Sequence, residues 1–375
     1  MTRTVAAILM TACVLAVVPT LAQAQTKANL PAVNRAIDKA LTWLASQRDA
    51  KGTWRSEYGP GITGLVLTAY LRHPQSKYTA DSPNVRRALD WIVSLQNPDG
   101  SIYDPKGQLP LPNYSTSTSL MALSAARHAR YAAVIKKAQD FLIKSQVDEG
   151  EGATPEDSNY GGIGYGSNPK RNDLSNLSMA LTALKDSGVP KDAAVWGKAV
   201  RFLNRLQNNS ETNDESWAGD DGGFIYGIGK GEPPESKAGE DAQGRPRSYA
   251  TMTYAGVMSM IYANVSSADP RVKAAMTWLG QHWNLEENEP IGKQGLYYGY
   301  HTMAKALAAV GSATFTTSDG RKLDWYKELT DKLLSLQTPA GNWPPNDADR
   351  WYEGDPVLVT AYCVLALEAG YPKRR

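Results

Sequence analysis

The stretch Lys39-Ala-Leu-Thr-Trp-Leu-Ala-Ser-Gln47 decides the fold, because it returns. It reads again as Arg87-Ala-Leu-Asp-Trp-Ile-Val-Ser-Leu-Gln96, as Lys137-Ala-Gln-Asp-Phe-Leu-Ile-Lys-Ser-Gln146 and as Lys198-Ala-Val-Arg-Phe-Leu-Asn-Arg-Leu-Gln207. More worn copies stand at Ala274-Ala-Met-Thr-Trp-Leu-Gly-Gln281 and Glu328-Leu-Thr-Asp-Lys-Leu-Leu-Ser-Leu-Gln337. In each, apolar residues recur three and four apart among Lys, Arg and Asp, the pattern of a helix with one wet face. With Ala40, Ala88, Ala138, Ala199, Ala275 and Leu329 as equivalents, the copies fall 48, 50, 61, 76 and 54 residues apart. Self-similarity at such a period is the signature of a repeat architecture.

Working outward, each copy is followed by a glycine and an aromatic residue: Gly52-Thr-Trp54, Gly100-Ser-Ile-Tyr103, Gly162-Ile-Gly-Tyr165, Gly223-Phe224, Gly295-Leu-Tyr297 and Gly341-Asn-Trp343. Glycine lets the backbone reverse, and the ring can pack back on the helix just ended. A second helix is predicted next in each unit, over 61–72, 115–127, 174–185, 249–263, 301–310 and 356–369. These segments are rich in Ala, Ser, Thr, Leu and Met and poor in charge, so they are expected to be buried on most sides. Six hairpins, each with one wet and one small-residue helix, imply an all-α protein of concentric layers, the small residues permitting close approach at the smaller radius. A repeat array can be an open solenoid or a closed ring. Six units with weak terminal caps favour closure.

Two insertions interrupt the period, 147–172 and 208–248, both rich in Gly, Asp, Glu, Asn and Pro. Loops of that length inside a domain are binding loops, lids or disorder. Residues 1–24 read as a signal peptide: Arg3 precedes an apolar run from Val5 to Val18, and Ala22-Gln-Ala24 supplies the small-x-small cleavage pattern. The expected mature chain, 25–375, is then a single periplasmic or secreted domain without a membrane span. Cys363 would be its sole cysteine, so an internal disulfide is excluded and the core must carry stability. The formal charge of +2 falls to +1 without Arg3, which argues against nucleic acid as a partner. Phe is scarce (4) beside Tyr (19) and Trp (10), side chains suited to a half-wet cavity.

The basic-Ala-x-x-aromatic-Leu…Gln…Gly-x-aromatic unit resembles the QW-type repeats of the squalene/oxidosqualene cyclases and the related protein prenyltransferase β subunits, over nearly all of residues 30–370. The resemblance implies an α/α toroid of six hairpins, with a pocket where the inner helices begin. It also implies an isoprenoid or other hydrophobic ligand. The cyclases protonate substrate with an Asp-x-Asp-Asp motif at an inner-helix start, and the counterpart here, Asp173-Leu-Ser-Asn176, lacks both later acids. Protein prenyltransferases hold zinc with Asp, Cys and His. Tyr300-His-Thr302 matches their histidine segment, but Arg247-Ser-Tyr-Ala-Thr stands where the aspartate and cysteine belong, so neither zinc nor another cofactor is expected.

Residues at the expected inner-helix starts form the candidate site. His301, Asp173 and Asp355 are the candidates for acid–base work, although Asp173 and Asp355 also read as N-caps, the latter with Pro356 at the first helical position. Tyr114, Asn176, Arg247, Tyr249, Tyr300, Trp351 and Glu353 are the candidate ligand-binding residues. Converging helix N-termini favour an anionic or polar group there. Three functions fit: an isoprenoid-binding or cyclase-like protein, a secreted carbohydrate-active enzyme taking a glycan, and a non-catalytic interaction module with a plugged ring.

Overall fold

The α-helices alternate between two kinds of surface. The computed structural model describes residues 27–166 and 171–372. The expected signal peptide, 1–24, lies outside the described residues. The hairpins are α1 (Leu30–Ser46) with α2 (Gly61–Leu71), α3 (Pro83–Ser94) with α4 (Pro112–Ala125), α5 (Ala132–Lys144) with α6 (Leu174–Asp186), α7 (Ala194–Leu206) with α8 (Ala250–Tyr262), α9 (Pro270–Gln281) with α10 (Leu296–Val310), and α11 (Trp325–Leu336) with α12 (Pro356–Ala369). Even-numbered helices are buried around nearly their whole girth: every residue of α2 from Thr63 to Tyr70 is inside. Odd-numbered helices bury one stripe, as α3 does with Val85, Ala88, Leu89 and Ile92.

The even-numbered helices form a closed ring. Helix α2 packs on α4, α4 on α6, α6 on α8, α8 on α10, α10 on α12, and α12 returns to α2, while α1 touches both α11 and α12. The fold is an all-α toroid of six hairpins. Small residues set the approach of the inner layer, since a Cβ on Gly64 of α2 would lie 2.7 Å from the Thr118 backbone of α4.

In four of the six units the repeated glutamine ties the outer helix to the next. Gln96 Nε2 donates to the carbonyl of Gly100 in its own turn and to that of Val134 in α5. Gln146 does the same with Gly161 and Val195, Gln207 with Gly222 and Arg271, and Gln337 with Gly341 and Ala36. A buried carbonyl left without such a donor costs about 1–3 kcal/mol, so each glutamine fixes the spacing of two units. The turn glycine has an equally definite reason. Gly161 has φ +83°, and a Cβ there would fall 1.9 Å from the Lys198 carbonyl of the next outer helix.

The residue after the turn also has a fixed place. The backbone N–H groups of Trp54, Ile102, Phe224 and Trp343 donate to the inner-helix hydroxyls of Thr63, Thr116, Thr253 and Thr360. The turn position read as aromatic is therefore Ile102 in the second unit rather than Tyr103, and buried Ile163 lies in the corresponding stretch of the third rather than Tyr165. Trp54 and Trp343 do pack back, each indole N–H donating to a carbonyl of the helix just ended, Leu44 and Leu333.

The two insertions meet. Strand β1 (Arg171–Asp173) pairs antiparallel with β2 (Gly227–Gly229) in the register Arg171 to Gly229, Asn172 to Ile228 and Asp173 to Gly227. The pairing sets both loops over the N-terminal ends of α6 and α8. Among the described residues no helix is long and apolar enough to cross a membrane.

Candidate functional site

The N-terminal ends of the inner helices surround a cavity of about 330 Å³. Its floor is aliphatic, with Leu65 from α2, Met179 from α6, Met252 from α8 and Leu358 from α12. Its walls are largely phenols: Tyr58, Tyr114, Tyr165, Tyr226, Tyr249, Tyr298, Tyr352 and Tyr362. Among the described residues, no Asp, Glu, Lys, Arg or His lines it.

The polar tips on the wall are organised in short chains. Tyr114 Oη and Ser175 Oγ share a hydrogen bond, and Ser175 Oγ shares another with Tyr298 Oη at 3.2 Å. Tyr165 and Tyr226, one from each insertion, share a hydrogen bond of 2.8 Å between their hydroxyls. Burial pushes the phenols of Tyr114, Tyr165, Tyr249 and Tyr298 up, so they remain neutral. Asn288 accepts the backbone N–H of Thr251 and donates to the Gln294 carbonyl, holding the first turn of α8 against the loop before α10. The Thr251 hydroxyl itself has no partner among the described residues.

Asp173 stands just behind this wall as the N-cap of α6. One carboxylate oxygen accepts the Asn176 backbone N–H at 2.8 Å, and the other accepts the Asn176 side-chain amide at 2.8 Å. Asn176 in turn accepts from Asn113. Burial nonetheless dominates and raises the Asp173 carboxyl to about 6, with its bonds to Asn176 and the charge of Arg171 opposing. Its negative charge, after burial, is the next factor raising the phenols of Tyr226 and Tyr249.

The structure brings Tyr114, Tyr249 and Trp351 from the expected set into the cavity wall, and sets the others apart. Helix α10 begins at Leu296, not at His301, because Glu353 reaches from the last repeat to accept the Tyr298 N–H at 2.8 Å and so caps it. Glu353 therefore caps α10 rather than α12 and is wholly buried, its other oxygen accepting from Asn346. His301 consequently lies in the second turn, below the mouth, where its ring stacks on Tyr362 at 5.6 Å. Burial pulls its imidazole well below the usual range, the charges of Lys305 and Arg72 adding to the effect. Tyr300 points elsewhere and donates to the Leu285 carbonyl. Asp355 caps α12 through the Val357 N–H and pairs with Arg55 at 2.5 Å. Arg247 is exposed, its backbone carbonyl accepting from Ser236 and its N–H donating to Gly239. Asn176 serves the Asp173 cap.

Sequence reasoning missed Tyr58, Tyr165, Tyr226, Tyr298, Tyr362, Ser175, Thr251 and Asn288. A signal existed for two of them: Tyr165 and Tyr226 each stand two residues beyond the buried turn residue, Ile163 or Phe224. The acidic pair in the second insertion serves the loop, Asp220 accepting from Ser210 and Asp221 from Gly223 and Ser248. No group of three or more His, Cys, Asp and Glu among the described residues is placed to hold a metal ion.

Comparison with known proteins follows the same lines. The family model of the squalene-hopene cyclase C-terminal domain matches residues 59–226. The squalene–hopene cyclase of Zymomonas mobilis is 23% identical over 302 residues, covering 69% of this chain and 41% of that protein. That of Bradyrhizobium diazoefficiens is 29% identical over 127 residues, covering 29% and 18%. The chain thus spans less than half the length of these curated relatives. Among solved structures, the type II terpene cyclase MstE from Scytonema superposes with a TM-score of 0.51 at 12% identity, over 90% of this chain and 98% of that one. The GH76A α-1,6-mannanase from Salegentibacter superposes with a TM-score of 0.58 at 10% identity, over 90% and 98%. At such identities the superpositions show the toroid alone. In its repeats, in the matched segment and in its closed ring of hairpins the chain is similar to the squalene-hopene cyclases.

Proposed function

We propose that this is an exported protein whose toroid mouth binds a small apolar ligand of isoprenoid type. One observation carries the reading: the cavity where the inner helices begin is walled by aromatic and aliphatic side chains with no charged group among the described residues. Apolar contact is the dominant attraction available to a ligand there. The matched squalene–hopene cyclase segment supports the same ligand class. If the ligand is also transformed, Asp173 is the group suited to give a proton, being a buried carboxyl raised to about 6. It stands behind the cavity wall, with both carboxylate oxygens engaged by Asn176.

A glycan ligand has separate support from the toroid shared with the α-1,6-mannanase. Glycoside hydrolysis needs two carboxyl groups flanking one bond, and the cavity wall supplies none among the described residues. A glycan would instead suit the groove between the insertions, which Arg171, Glu232, Glu235 and Glu240 line, Arg171 pairing with Glu235. The two readings separate when the purified protein is incubated with lipid and glycan extracts and bound molecules are identified by mass spectrometry. Recovery of isoprenoids is expected. Recovery of oligosaccharides without isoprenoids would overturn the proposal.

A further inference from the structure

We infer that the ligand of the cavity carries a neutral oxygen, a hydroxyl or a ketone, which the Thr251 hydroxyl receives, and that it is not a prenyl diphosphate. The inference rests on the reading of the cavity as an isoprenoid site and names the head group that the site would recognise.

Thr251 is the second residue of α8, lines the cavity and is 3% exposed. Its hydroxyl is buried without a partner, although a hydroxyl can both give and accept a hydrogen bond. Other threonines of the inner layer use theirs on the preceding turn: Thr68 donates to the Gly64 carbonyl, Thr253 to Tyr249 and Thr302 to Tyr298. Thr251 is too near the start of its helix to do so, since the carbonyl four residues back belongs to Arg247 in the loop. A buried hydroxyl left unpaired is costly, and a ligand oxygen is the partner that fits a cavity wall. The neighbouring backbone leaves room for it. Gly299 of α10 faces the hydroxyl, and a Cβ there would lie 3.2 Å from Thr251 Oγ1 with no other atom beyond its own helix within 4 Å. One residue earlier, Tyr298 belongs to the hydroxyl chain that runs through Ser175 to Tyr114.

The same surroundings oppose an anion. No cationic side chain lines the cavity among the described residues. Three inner-helix N-termini, which would otherwise attract a phosphate, are already occupied by the protein's own carboxyls: α6 by Asp173, α10 by Glu353 and α12 by Asp355. A diphosphate would enter an apolar site already bordered by negative charge and would lose its hydration without compensation.

The test is a titration of the purified protein with three probes sharing one C20 chain: geranylgeraniol, the hydrocarbon lacking its hydroxyl, and geranylgeranyl diphosphate. Geranylgeraniol is expected to bind most tightly and the diphosphate most weakly. Thr251→Val, which keeps the shape and removes the hydroxyl, should weaken geranylgeraniol about five- to tenfold and leave the hydrocarbon within about twofold. Gly299→Ala, a good helix former that puts a methyl in front of the hydroxyl, should reproduce the selective loss. Equal binding of alcohol and hydrocarbon, with Thr251→Val changing neither, would overturn this inference while leaving an isoprenoid site standing. Tightest binding of the diphosphate would also overturn it. Failure of all three probes would count against the isoprenoid reading itself.

Discussion

The side-chain amide of Gln337, one residue beyond the last outer helix, donates to the backbone carbonyl of Ala36 in the first, at 2.9 Å. Gln96, Gln146 and Gln207 make the equivalent bond between consecutive units, so first and last repeats are joined as neighbours are. Gln337→Ala removes this bond and the one to Gly341, and is expected to destabilise by about 2–3 kcal/mol in equilibrium unfolding. Gln47, whose side chain bonds only to Ser46 among the described residues, is the control, and Gln47→Ala should stay within about 0.5 kcal/mol of the parent. An unchanged Gln337→Ala would mean that apolar contact of α1 and α2 with α12 closes the ring unaided.

Two glycines with nearly the same backbone separate conformation from contact. Gly161 and Gly188 have φ of +83° and +84°, yet a Cβ on Gly188 meets nothing within 4 Å while one on Gly161 collides with the Lys198 carbonyl. Gly188→Ala should cost about 1 kcal/mol, the penalty of a left-handed alanine. Gly161→Ala should cost several times more, or prevent folding, because the clash can be relieved only by moving α7 off α5. Thermal unfolding of the two variants side by side measures the difference, and equal losses would refute the contact argument.

The repeats were legible because each repeated residue makes the same local bond in several units: glutamine to turn and next helix, turn glycine left-handed, threonine to turn N–H. What escaped was set by contacts between units. The start of α10 was misread because its cap, Glu353, comes from 55 residues away, so nothing beside His301 marks the earlier start at Leu296. Tyr165 and Tyr226 lie in segments read as loops and become one feature only when β1 and β2 pair. Arg247 was promoted by its place before a helix, but the local turn keeps it exposed. Tyr114, Tyr249 and Trp351 were legible as aromatics close to inner-helix starts, and they do reach the cavity.

Asp173 gives a pH signature of the mouth. Burial raises its carboxyl from the ordinary 3.8 to about 6, so the folded state holds the proton more tightly than the unfolded chain does. Its contribution to stability is fully present below about pH 4 and is lost as pH rises through about 6, a change of up to about 3 kcal/mol. Asp173→Asn carries no such charge and Asn is an adequate N-cap. Its stability relative to the parent should therefore improve between pH 4 and pH 7. Parallel pH profiles for the two proteins in denaturant unfolding would show that Asp173 is already ionised at low pH and unsuited to the role of acid.

The opposite sign is expected at the other end of the ring axis. Lys305, one turn beyond His301 on α10, is 6% exposed, and burial pulls its amine from 10.5 down to about 7 against the attraction of Asp186. The groups whose charges act on it are Asp186 and Lys185 of α6 and Arg72 at the end of α2, with Arg72 and Asp186 forming an ion pair at 2.5 Å. Because the unfolded chain binds this proton more tightly, the lysine's contribution to stability is present above about pH 10.5 and is lost as pH falls through about 7. The loss amounts to up to about 5 kcal/mol. Lys305→Met, which fills similar space without charge, should then be more stable than the parent at pH 7, with the advantage shrinking as pH approaches 10. Denaturant midpoints at pH 7 and pH 9.5 read this directly. A variant less stable than the parent at both pH values would mean that Asp186 depends on Lys305 as well as Arg72, the lysine then being charged and paired in the folded ring.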